Sequence, residues 1–88
     1  MPSQREEIFD REGVLAAIGV AVRALRTAKG YSQEGFADAC GIDRSYMGGI
    51  ERGQRNPSTV NLMRIIEALD MKPSEFFKHL EKAAKPQQ

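Results

Sequence analysis

Residues 32–58 read SQEGFADACGIDRSYMGGIERGQRNPS, and this order predicts helix, tight turn, helix and a basic loop closed by Pro57. Ser32 is a natural cap for the first helix, and Glu34 lies near the positive end of its dipole. Phe36, Ala37 and Cys40 fall on one apolar helical face. Gly41 stands where the chain must turn, since glycine accepts a positive φ without strain. Ile42 then anchors the turn, Asp43 caps a second helix, and Met47 and Ile50 form the inward face of that helix. Gly53 ends it. Arg52, Gln54, Arg55 and Asn56 supply a polar, cationic rim.

The rest of the chain supplies a scaffold for this pair. Helix one is expected from Val14 to Lys29, with Leu15, Ile18, Val22 and Leu25 at helical spacing. Alanines 16, 17, 21, 24 and 28 surround that stripe and allow close approach. A fourth helix is expected from Thr59 to Leu69, and Pro73 with Glu75 opens a fifth, which carries Phe76, Phe77 and Leu80. The apolar set of helix four is too wide for a single core-facing stripe. Ile65, Ile66, Leu69, Phe76 and Phe77 are therefore assigned to a homodimer interface. Residues 1–12 are expected to form a polar N-terminal arm whose Ile8 and Phe9 could dock on the domain, 13–81 the domain itself, and 82–88 a polar C-terminal tail.

Eighty-eight residues make one small all-α domain with no room for a large catalytic cleft. No Ser/His/Asp set, paired-carboxylate pocket or phosphate-cradling glycine loop is recognisable, so the expectation is no enzyme, no cofactor and no metal. No run of about 18 apolar residues spans a membrane. A single cysteine and no signal peptide fit the cytoplasm. Net charge is only +1, but Arg44, Arg52 and Arg55 stand against Glu51 around the second helix of the pair. Local sign is what a phosphate backbone feels. Double-stranded DNA is therefore the expected partner, with no small-molecule ligand. Arg44 and Ser45, early and solvent-facing on the second helix, are the residues that would meet base edges, Arg44 as a fork on guanine O6 and N7. Tyr46 could stack on a thymine methyl, hold a phosphate or pack on the domain. Gly48 could allow close approach to the DNA backbone or tight helix packing.

"SQ" before the first helix of the pair, the spacing from Ala37 to Gly41, and "IERG" followed by "RNPS" resemble the Cro/CI (Xre) family of helix-turn-helix regulators. The resemblance extends from Val14 to about Phe77, and "RSYMGGIERGQRNPS" is particularly similar to restriction–modification controller proteins. It implies a five-helix, lambda-repressor-like DNA-binding domain with a helix-turn-helix, acting as a dimeric transcriptional regulator on a pseudo-palindromic operator. The alternative is an antitoxin or protein-partner-binding module with secondary DNA binding. The resemblance also implies that Gly49 faces the bases, and that Gln33 clamps phosphate on one side of the reading helix. Arg52, Arg55 and Asn56 would grip phosphate from the other side, and Arg26 and Glu51 would form a structural ion pair.

Overall fold

The computed structural model describes residues 10–84, which form five helices and, within that range, no strand. They are α1 (Arg11–Ala28), α2 (Gln33–Cys40), α3 (Arg44–Glu51), α4 (Thr59–Ala68) and α5 (Pro73–Ala84). Three side-chain caps set the starts of the inner helices. Ser32 Oγ accepts from Gly35 N at 3.0 Å, Asp43 Oδ2 from Tyr46 N at 3.2 Å, and Ser58 Oγ from Asn61 N at 3.0 Å. Each such cap contributes about 1 kcal/mol. At α5, Glu75 reaches back to accept from Lys72 N at 3.0 Å.

α1 begins three residues before the expected Val14. Asp10 accepts from Gly13 N at 2.6 Å, which satisfies an otherwise unpaired amide and draws Arg11 and Glu12 into the first turn. At the other end of the chain, the helix continues through Lys82, Ala83 and Ala84. Ile8 and Phe9 lie outside the described residues. The turn between α2 and α3 takes the expected form. Gly41 has φ +69°, and Ile42 N donates to Ala37 O at 2.9 Å, tying the turn back onto the helix it leaves.

The core is built from Val22 of α1, Phe36 of α2, Met47 and Ile50 of α3, Ile65 and Ile66 of α4, Leu69 and Phe76, all fully or almost fully buried. This corrects the assignment of Ile65, Ile66, Leu69 and Phe76 to a dimer interface. α4 packs against both α2 and α5, and α5 lies along α1. A helix between two neighbours needs an apolar arc wider than one stripe, so the breadth of the α4 pattern reflects burial within one protomer. The large apolar side chains left in solvent on these helices are Val60, Met63 and Phe77, exposed by 62%, 38% and 41%. Cys40 is buried too, and desolvation pushes its thiol up to about 11.

Candidate nucleic-acid interface

α3 is held by backbone proximity on one side and by a buried ion pair at its end. Gly19, in the middle of α1, lies against the last turn of α3. A Cβ there would collide with the carbonyl oxygen of Glu51 and stand 2.7 Å from that of Ile50. Backbone carbonyls cannot swing aside, so only glycine permits this crossing. Near it, the Arg26 guanidinium forks onto Glu51: Nε donates to Oε2 at 2.6 Å and Nη2 to Oε1 at 3.0 Å. The two side chains are only 10% and 4% exposed. Arg26 Nη1 also donates to the Tyr31 carbonyl at 2.8 Å, and Gln33 Nε2 donates to Glu51 Oε1 at 3.1 Å. One carboxylate therefore joins α1, the start of α2 and the end of α3.

With that frame fixed, the outer face of α3 carries Arg44 and Ser45 in solvent. Among the described residues neither side chain has a hydrogen-bond partner in the chain, so their donors are free. Glu51 is neutralised by Arg26, which leaves three exposed cations, Arg44, Arg52 and Arg55, against the capping Asp43 around this face. The result is a cationic ridge of helical width, a shape that fits the major groove.

Several expected contacts differ. Tyr46 is half-buried against the core, and its hydroxyl donates to the Asn56 carbonyl at 3.3 Å. Of the three roles open to it, packing on the domain is the one adopted, and the ring braces the loop after α3. Gly49 does not face outward. It is buried, and the place of its missing side chain is filled by the Arg55 stem, whose Cγ lies against it. Gly49 is thus a seat for Arg55, with no surface left for a base. Arg52 lies on the same side as Gln33: the two line a notch of about 390 Å³ together with Arg44, Ser45 and Gly48. Arg55 and Asn56 remain exposed in the loop beyond. Gly19 and the Tyr31 carbonyl escaped the sequence reading. A glycine between Ile18 and Val20, inside a strongly periodic helix, was the available signal.

A family model described as helix-turn-helix matches residues 22–76. The chain belongs to this family, in its Cro/CI (Xre) branch. Among proteins similar to this helix-turn-helix chain is the control protein C.MunI of a Mycoplasma species, 43% identical over 65 residues, which cover 73% of this chain and 88% of that protein. The crystal structure of the restriction–modification controller protein C.AhdI from Aeromonas hydrophila is 56% identical, with a TM-score of 0.69 over 72% of this chain and 96% of that one. The controller C.Esp1396I, solved as a tetramer with its natural 35 base-pair operator, is 32% identical, with a TM-score of 0.75 over 81% and 93% of the two chains. Among the described residues no helix is long and apolar enough to cross a membrane.

Proposed function

We propose that this chain is a sequence-specific DNA-binding transcriptional regulator of the restriction–modification controller kind, without enzymatic activity, acting in the cytoplasm as a dimer on a pseudo-palindromic operator. The observation that carries this reading is the pairing of a rigidly held α3 with unpartnered Arg44 and Ser45 on its outer face. The similarity to controller proteins, one of them solved on its operator, supports it.

Arg44 reads a base, whereas Arg55 holds the backbone. Arg44 projects from the first residue of α3, and Arg55 from the loop after Gly53. A duplex selected by the wild-type chain from a randomised pool, and a scrambled duplex of equal length, provide the probes. Arg44→Ala is expected to cost about 1–3 kcal/mol on the selected duplex and to relax one base position per half-site. Arg55→Ala is expected to weaken both duplexes alike and to flatten the log K against log salt slope by about one unit. Equal losses for Arg44→Ala on both duplexes, with base preferences intact, would make it a phosphate contact and remove the reading residue.

The dimer surface in this reading is the exposed part of α4 and α5, centred on Phe77. That side chain lines an apolar groove of about 470 Å³ with Ser74, Leu80 and Ala84. Two copies would set their reading helices about 34–36 Å apart, one turn of DNA. Light scattering of the wild type is expected to give twice the chain mass, and of Phe77→Asp a single chain mass with an unchanged helical spectrum. A monomeric wild type at micromolar concentration, with and without duplex, would exclude the dimer.

A further inference from the structure

Asp43 is the one acidic side chain at the start of α3, and its charge opposes the approach of phosphate. It caps the helix, with Oδ2 accepting from Tyr46 N at 3.2 Å, while its own carbonyl accepts from Met47 N at 2.9 Å. The preceding Ile42 is buried and tied to the Ala37 carbonyl, so Asp43 is fixed from both sides. Among the described residues Oδ1 has no hydrogen-bond partner, and the carboxylate forms no salt bridge with Arg44 or any other cation. An exposed, firmly placed acceptor therefore stands one residue before Arg44.

Capping alone does not call for the charge. Serine, asparagine and aspartate cap about equally well, and Ser32 and Ser58 do the same duty for α2 and α4 at 3.0 Å. The α3 dipole favours a carboxylate in the free protein, but that carboxylate repels phosphates once the helix nears a duplex. On the floor of the major groove the balance differs. A carboxylate only accepts hydrogen bonds, and the donors displayed there are the amino groups at cytosine N4 and adenine N6. Adenine sets its N7 acceptor beside N6, which a carboxylate avoids; cytosine has no such neighbour. We infer that Asp43 Oδ1 reads the N4 amino group of a cytosine in the base pair next to the guanine held by Arg44, which rests on the DNA-binding reading of α3. Asp43 is then a second specificity residue, and it excludes as well as attracts. Guanine O6 and N7, or thymine O4, would bring an acceptor against its negative charge.

Asp43→Asn keeps the cap and changes what faces the DNA. With its oxygen held by Tyr46 N, the asparagine turns an amino group outward, a donor where the aspartate had an acceptor. The melting temperature is expected to stay within about 3 °C of the wild type. Duplexes selected from a randomised pool by wild type, Asp43→Asn and Arg44→Ala are then compared. The wild type should select a cytosine beside the guanine, and replacing that C·G pair by T·A should cost it about tenfold in affinity. Asp43→Asn should lose less than about twofold on the same replacement, since its amino group can donate to thymine O4. It should also bind a scrambled duplex at least as tightly as the wild type, having shed a negative charge. Asp43→Ser, with the cap used by α2 and α4, is the second variant and should lose the cytosine preference too. An unchanged preference in both variants would reduce Asp43 to a cap. Relaxation only at the position that Arg44→Ala relaxes would make it a brace for Arg44. Either result overturns the base contact and leaves the DNA-binding reading intact, whereas a wild-type chain that binds neither a selected nor a random duplex brings down both.

Discussion

Gly19→Ala is expected to destabilise the domain by about 3 kcal/mol, although the same change in an exposed helix would stabilise it by about 1 kcal/mol. The reversal comes from where the new methyl group must go. It meets the backbone carbonyls of Ile50 and Glu51, which are themselves fixed by the last turn of α3. Either α1 and α3 separate or the turn distorts. Separation opens the core around Val22 and Ile50 and tilts the face that carries Arg44 and Ser45. For a domain of this size, 3 kcal/mol lowers the melting temperature by at least about 12 °C. Operator affinity should fall in the same variant, measured well below its melting temperature. A melting temperature equal to or above that of the wild type would mean that the helices part without cost. Gly48→Ala should move stability the other way, because the new methyl group there meets only the flexible ends of Arg52 and Gln33 and alanine favours a helix over glycine.

Arg26→Ala is expected to cost about 3–5 kcal/mol, the range for removing one partner of a buried pair. A small domain has a net stability of about 5–15 kcal/mol, so this is a large share of the total. The loss goes beyond a single contact. Glu51 keeps its charge in a site only 4% exposed, and the Tyr31 carbonyl loses its donor. DNA binding should weaken too, because Gln33 is oriented through Glu51, and an unpaired carboxylate beside the notch repels phosphate. Arg26→Ala/Glu51→Ala should recover part of both losses, since neutral alanines leave no stranded charge. Urea titrations of the four members of this cycle measure the coupling. Strictly additive losses would mean that the fork in the structure contributes nothing.

The helix order was legible because the punctuation is local. Ser32, Asp43 and Ser58 cap through their own side chains, Gly41 and Gly53 adopt positive φ, and Pro73 starts α5. None of these needs a distant partner. The Arg26–Glu51 pair spans 25 residues, and it was read from family resemblance rather than from spacing. What failed depended on which neighbour each face meets. An apolar arc on α4 looks the same in sequence whether its outer part meets α5 or a second protomer. Ile65, Ile66, Leu69 and Phe76 proved to meet their own chain. Gly48 and Gly49 are adjacent and chemically identical, yet one faces Gln33 and Arg52 and the other the Arg55 stem. Their separation by one helical step, about 100° of rotation, decides this, and only the packed structure fixes the phase.

The supports of α3 are a close approach at Gly19, a carboxylate fork from Arg26, a cap from Asp43 and apolar anchors at Met47 and Ile50. None passes through the side chains of Arg44 or Ser45. Stability and recognition are therefore written in separate letters of the same eight-residue helix. A lineage carrying this fold can drift at positions 44 and 45 and acquire a new target without first surviving an unstable intermediate. The same separation makes the chain a practical starting point for laboratory retargeting: a library varied at those two positions should consist almost entirely of folded proteins.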